Sequence, residues 1–427
     1  MKEFSQRYLT EKRNEILENL SKLLSFPSVR AEGQPKYPFG KPIDDALQFM
    51  LELSRQKGYR IQNENGYYGY GEIGQGEDLV TLLVHLDVVP AEGEWSSAPF
   101  EMQRTGGKLI GRGVLDDKGP AIACLYAMDM LQRDYERRGK RLNSRVRLVF
   151  GVDEESGWED MKKYAAKEEL PTCGFTADSD FPVGILSLEL SIPNQEKFLA
   201  DIRAGMVVNM VPGKCVVNMS DGTQKQFDGK EAHACEAEKG DNAIKNCMLA
   251  FSEQKMDSPL LAFWQTYIGN EPNGKCLGCD IRDEISGALS MNVGTIRMDP
   301  DAIHLGIDIR FPVTYDAETV ENMIRKRLQG SMTSVRRVAC NPPLYIPLEH
   351  PLVQTLMTCF YECTGIEAAP VVTGGGTYAR ALPGIAAFGP VFPGRACTEH
   401  QPNEYILEQD FFAMIEIYYR ALVKLTE

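Results

Sequence analysis

Seven residues of this 427-residue chain combine side chains able to ligate a metal or move a proton with a place at the end of an apolar segment: His85, Asp87, Asp116, Glu154, Glu155, Asp178 and His400. His85-Leu86-Asp87 closes the run Leu79-Val80-Thr81-Leu82-Leu83-Val84, bounded by Gly76-Glu77-Asp78 and Pro90, which reads as a strand buried on both faces. Asp116-Asp117-Lys118-Gly119 follows Gly111-Arg112-Gly113 and enters a helical stretch, Ala121 to Leu131, with Pro120 in its first turn. Asp153-Glu154-Glu155 ends an expected strand over Val146 to Val152, and Asp178 ends a shorter one near Gly174-Phe175-Thr176. Five carboxylates converging on one crevice repel one another, and burying them unpaired costs on the order of several kcal/mol each. Cations are the simplest remedy. Imidazole with carboxylate, and no thiolate, suits zinc, manganese or cobalt at a hydrolytic site. Two ions sharing a bridging carboxylate would hold a water beside a carbonyl and bring that water's pKa to about 7. One carboxylate left unligated would then take the proton and pass it to a leaving amine. Singly, each piece is an ordinary turn, surface pair or loop; their joint occurrence at strand ends points to chemistry.

Helices and strands must position these groups. Ile16, Leu17, Leu20, Leu23 and Leu24 have helical spacing within Thr10 to Ser25, and a second helix starts near Pro42 with Ala46, Leu47, Met50 and Leu51. Alternation of strand and helix as far as Asp178 predicts a largely parallel α/β sheet, which places chemistry at the ends of its strands. After Pro182 the pattern changes. Ile303, Leu305, Ile307, Ile309 and Phe311 share one face of a strictly alternating segment, with His304, Asp308 and Arg310 on the other, the pattern of an antiparallel sheet half open to solvent. A helix over Ala317 to Leu328 packs on it. The expected organisation is therefore a discontinuous catalytic domain, residues 1–183 and 343–427, with an inserted α+β domain at 184–342. Leu352 to Cys363 and Phe411 to Leu422 are helices of the returning segment, with a strand at Ile385 to Phe388 between them.

The bulk numbers exclude several partners. A net charge of -14 with no long Lys/Arg stripe argues against nucleic acid. No apolar stretch reaches the roughly 18 residues of a membrane helix, and the polar start Met1-Lys2-Glu3-Phe4-Ser5 argues against a signal peptide. Eleven scattered cysteines suit reduced thiols in a cytoplasmic protein. Cys276-Leu277-Gly278-Cys279 has the spacing of half a zinc ribbon, but no second pair follows, so it reads as a polar loop with two free thiols.

Four motifs carry a resemblance over nearly the whole chain: Val84-His85-Leu86-Asp87-Val88-Val89-Pro90, Gly111-Arg112-Gly113 through Asp116-Asp117-Lys118-Gly119-Pro120, Asp153-Glu154-Glu155-Ser156-Gly157, and Thr373-Gly374-Gly375-Gly376-Thr377. With them the chain resembles the dinuclear zinc metallopeptidases that include aminoacylases, carboxypeptidases and dipeptidases, and within these the bacterial Xaa-His dipeptidase, carnosinase-like type. The resemblance implies a zinc-peptidase catalytic domain with a ferredoxin-like antiparallel lid. It implies two divalent ions, zinc first and manganese or cobalt as alternatives. His85 and Asp178 would hold one, Glu155 and His400 the other, with Asp116 bridging. Asp87 would orient His85, Glu154 would be general base and then acid, and the Asp116–Asp117 peptide would be cis. His233, in Gly229-Lys230-Glu231-Ala232-His233, matches the family's oxyanion-stabilising histidine, and Asn209 and Arg310 match residues that grip the substrate and its carboxylate. Gly375 and Gly376 would let backbone approach the substrate closely. Glu231, Ala237 and Ala177 stand where the family usually has serine, proline and proline, which bears on fine substrate preference. The implied activity is hydrolysis of dipeptides with free termini by a working monomer. The alternatives are an N-acyl amino acid amidohydrolase on the same fold and a binding homologue that has lost catalysis.

Overall fold

The computed structural model describes residues 2–178, 183–368 and 377–427, without the side chains of residues 235, 236 and 238. The chain forms two compact units, the first from Met1–Asp180, Ile346–Pro370 and Thr377–Glu427, the second from Phe181–Tyr345.

The first unit is built on a six-stranded mixed sheet in the order Arg60–Asn63, Gly69–Ile73, Arg145–Gly151, Leu79–His85, Cys173–Thr176, Ile385–Ala387. The first two strands are antiparallel additions, and the remaining four run parallel. Leu79–His85 is buried at every position, as a central strand covered on both faces must be. Lys118–Arg137 and Glu408–Thr426 pack on each other and on this sheet, with Lys2–Leu24 against the former. Ile122, Leu125, Phe411, Ile415 and Leu422 are among the side chains that close the core. Several helices run further than the apolar periodicity marks: the first begins at Lys2 and the last continues to Thr426, because polar turns extend a helix whose apolar stripe is already anchored.

The second unit is a seven-stranded antiparallel sheet in the order Gln224–Asp228, Lys214–Met219, Leu199–Ala204, Ser290–Met298, Ala302–Phe311, Gly184–Pro193, Ser334–Asn341. Helices Ala243–Glu253 and Ala317–Arg327 contribute Ile244, Cys247, Phe251, Val320 and Ile324 to its core. One expectation fails here. The polar face of Ala302–Phe311 is not half solvated along its length: Asp308 is 1% and Arg310 6% exposed. Alternation reports which residues share a face, but not whether other chain covers that face. Cys279 likewise lies in this core rather than in a polar loop, while Cys276 is half-buried and both thiols are free.

Candidate active site

Parallel pairing brings three strand ends to one level. His85 pairs with Gly151, and Leu83 with Thr176, so His85-Leu86-Asp87, Asp153-Glu154-Glu155 and Asp178 all leave the sheet on the same side. Asp117 is the residue before helix Lys118–Arg137, and the Asp116–Asp117 peptide is cis. His400 adopts the left-handed backbone conformation, with φ of 62°.

Asp116 faces both imidazoles. Its Oδ1 lies 2.9 Å from His85 Nε2, and its Oδ2 lies 2.8 Å from His400 Nε2. Glu155 Oε1 is 3.2 Å from the same His400 nitrogen, and Asp178 Oδ2 is 4.0 Å from His85 Nε2. Among the described residues, two groups have ligand atoms within 4.8 Å of one another: His85 with Asp116 and Glu155, and His85 with Glu154 and Asp178. Glu154 Oε1 and Asp117 Oδ1 are buried with no hydrogen-bond partner among the described residues, a costly state for oxygens of buried acids. That donor set of imidazole and carboxylate oxygens, with an orphaned acid among them, fits hard or borderline divalent cations.

Several neighbours fix these groups. His85 Nδ1 faces the Asp87 carbonyl oxygen at 3.0 Å, with the Asp87 carboxylate 3.6 Å away. The carboxylate accepts instead from the amides of Glu154 at 3.2 Å and Glu155 at 3.0 Å, so Asp87 holds the acidic loop as well as standing beside the histidine. Asp117 Oδ2 accepts from the His85 amide at 2.9 Å. Glu404 accepts from the amides of Gly113, Leu115 and Asp116 at 3.0, 2.8 and 3.2 Å, and from Arg112 Nη1 at 2.8 Å. Arg112 Nη2 donates to the carbonyls of Pro90 and His400, both at 3.3 Å. This buried pair therefore joins the loops that carry His85, Asp116 and His400. The motif reading passed over both residues. The only local signal was an arginine between two glycines and a glutamate four residues after a histidine.

Burial pushes the carboxyls of Glu154, Asp178 and Asp117 well above the usual carboxylate range, and Glu155 upward as well. Asp116 moves the other way. Burial opposes its charge, but hydrogen bonds with His400 and His85 hold its carboxyl below the ordinary value. Burial would likewise neutralise the imidazoles. Contact with Asp116 and Glu155 nonetheless pushes His400 up to about 12, and Asp116 and Asp87 raise His85. These contacts favour the protonated form of both imidazoles.

In the second unit, Met210 pairs with His233, and the Ala234 amide donates to the Asn209 carbonyl at 2.9 Å, so Asn209 and His233 stand together at the base of one hairpin. Arg310 is gripped by Asp308, Nε to Oδ1 at 2.6 Å and Nη2 to Oδ2 at 3.2 Å. Gly375 and Gly376 lie outside the described residues.

Among known proteins, the model of peptidase family M20/M25/M40 matches residues 81–424. YtjP of Bacillus subtilis, provisionally named a dipeptidase, is 31% identical over 461 aligned positions, covering 97% of this chain and 98% of that one. The solved structure of the dipeptidase Dug1p from Saccharomyces cerevisiae superposes with a TM-score of 0.62 at 13% identity, covering 99% of this chain and 98% of that one. Human carnosine dipeptidase 1 does so with a TM-score of 0.61 at 12% identity, covering 100% and 98%. At such identities the structural likenesses speak for the fold. The family match and the full-length relative establish the rest: this chain belongs to peptidase family M20/M25/M40 and is a metallopeptidase.

Proposed function

We propose that this protein is a dipeptidase, acting on short peptides with free amino and carboxyl termini through two divalent ions. The observation that carries the reading is the Asp116 carboxylate, which offers one oxygen toward His85 and the other toward His400. In the proposed arrangement His85 and Asp178 would hold one ion and Glu155 and His400 the other, with Asp116 available to both. When bound, the ions supply Lewis acidity that polarises the scissile carbonyl and acidifies water. Glu154 is the proton carrier. Its orphaned oxygen and raised pKa suit a group that takes a proton from water and returns it to the leaving amine. His233 is proposed to donate to the developing oxyanion, Arg310 to bind the substrate carboxylate, and Asn209, with Gly375 and Gly376, to hold the substrate backbone. Zinc is the first choice of metal. The dipeptidase name of YtjP supports the substrate class.

No helix among the described residues is long and apolar enough to cross a membrane, and the ten described cysteines are all free. Reduced thiols support a cytoplasmic setting, and a working monomer acting on small peptides, without nucleic acid or membrane, completes the reading. The test is a panel of dipeptides, N-acyl amino acids and dipeptide amides assayed with added zinc, manganese or cobalt. Preferred turnover of free dipeptides supports the proposal. Preference for N-acyl amino acids replaces it with the amidohydrolase reading, and no turnover of any with any metal points to a binding homologue.

A further inference from the structure

Asn209 and His233 lie at the base of a hairpin, where Met210–Val211 pairs with Ala232–His233 below the longer ladder of Lys214–Met219 and Gln224–Asp228. This pairing continues the longer ladder through the Gly229 amide, which donates to the Gly213 carbonyl at 2.8 Å, but at its open end only two residue pairs hold it. The open end, at Asn209 and His233, needs support of its own.

Two features of the sheet beneath it provide this. The first is a relay of side-chain amides. Asn242 caps helix Ala243–Glu253, its Oδ1 accepting from the amides of Ile244 and Lys245 at 2.9 and 3.2 Å. Its Nδ2 therefore points away from the helix and donates to Asn292 Oδ1 at 3.0 Å and to the Val293 carbonyl at 2.9 Å. With its oxygen so engaged, Asn292 turns its Nδ2 to the carbonyls on either side of Asn209, Met210 at 2.9 Å and Val208 at 3.4 Å. The polarity of the relay leaves Asn292 one consistent orientation. Asn292 is 5% exposed and pairs across the sheet with Asp308, the residue that grips Arg310.

The second feature is a notch of glycines. The register between strands Ser290–Met298 and Ala302–Phe311 shifts at Gly294, a bulge. A Cβ on Gly294 would lie 2.1 Å from the Val208 carbonyl oxygen, and one on Gly306 would lie 2.6 Å from Val208 Cγ1. Gly205 closes the notch from the other side: it has φ of +67°, and a Cβ there would meet the Gly294 carbonyl at 1.9 Å. Val208 is thus seated on bare backbone, and the hairpin with it.

We infer that Asn292, seated beside the Gly294 notch, is the positioning residue for Asn209 and His233, setting their place relative to the Asp308–Arg310 pair on the same sheet. The inference rests on the roles proposed above for His233 and Asn209. Asn292 touches no substrate; it acts through the backbone of residues 208–210.

The test uses the full-length, metal-loaded chain and three variants, Asn292→Ala, Gly294→Ala and His233→Ala, with each of the first two also combined with the third. Asn292→Ala removes the donor, whereas Gly294→Ala displaces Val208 from beneath, so the two disturb one hairpin by different atoms. Hydrogen exchange of peptides spanning 205–214 and 230–236 should quicken by about tenfold in either variant, while helix Ala243–Glu253 and strand Ala302–Phe311 keep wild-type protection. With the best dipeptide of the panel, kcat should fall by about 10- to 100-fold, as misplacement of a catalytic group by about 1 Å does. In the His233→Ala background neither substitution should lower kcat further. Unchanged exchange in both variants overturns the inference, and so do losses that simply multiply with that of His233→Ala. If His233→Ala itself leaves kcat intact, the role proposed for His233 falls, and this inference with it. A full effect of His233→Ala with no coupling to Asn292→Ala sinks the inference alone. Should Asn292→Ala fail to fold, Gly294→Ala carries the same comparison.

Discussion

Asp87 and Glu154 are joined by a hydrogen bond from the Glu154 amide to Asp87 Oδ1 at 3.2 Å, and the other oxygen of the same carboxylate takes the Glu155 amide at 3.0 Å. One buried acid, 1% exposed, therefore orients two consecutive acids of different proposed roles. Asp87→Ala leaves both amides without their acceptor and frees the loop. Metal affinity, read by competition with a chelator, should drop by about 10- to 100-fold, the usual loss when a ligand's supporting partner is removed. Asp87→Asn keeps one acceptor oxygen and should lie between. Wild-type affinity in Asp87→Ala would mean that the loop holds its shape without this contact.

Glu154→Gln keeps the shape of the side chain and removes the proton acceptor. Turnover should fall by about 10²- to 10⁴-fold, with bound metal, measured by atomic emission, close to wild type. Loss of metal in this variant would move Glu154 into the ligand set, a possibility its grouping with His85 and Asp178 makes worth measuring.

Metal removal should invert the pH dependence of stability. In the metal-free chain Glu154, Asp178, Asp117 and Glu155 have raised pKa values in the fold, and so have His85 and His400, the latter at about 12. A group with a raised folded pKa contributes stability that is complete below its unfolded pKa and is lost as pH rises through the folded value. Asp116, shifted downward, contributes above its ordinary pKa and is constant through neutrality. The urea midpoint of metal-free protein should therefore fall between pH 6 and pH 8. With metal it should hold or rise, because ligands bind metal deprotonated. A metal-free midpoint that climbs with pH would contradict these raised values.

Asp308 holds Arg310 in a bidentate grip, which fixes the plane of its guanidinium. Arg310→Lys replaces the planar fork by a point charge and should raise KM for a dipeptide and lower kcat. Dipeptide amides should be poor substrates of the wild type. Equal turnover of a dipeptide and its amide would remove the carboxylate-binding role.

A working monomer predicts no complementation between chains. Mixed His233→Ala and Glu154→Gln proteins should show no more activity together than the two show apart. Recovered activity would show the histidine serving a partner's site.

The sequence by itself determined which side chains gather at the candidate site. Leu79–His85 is apolar throughout and must be a central strand, and parallel neighbours end level with it, so acids written directly after those strands meet there. Local pattern suffices because the ligand sits within a few residues of the element that aims it. Only the tertiary structure decided what holds these groups in place. Glu404 reaches amides at 113, 115 and 116, and Asn292 reaches carbonyls at 208 and 210, across 80 residues or more. Such bonds join backbone groups, which every residue possesses, so no spacing or residue type at the receiving end announces them. The burial of Asp308 and Arg310 was hidden for a related reason. Alternation sorts a strand's residues onto two faces, and whether the polar face meets water depends on chain far away in sequence.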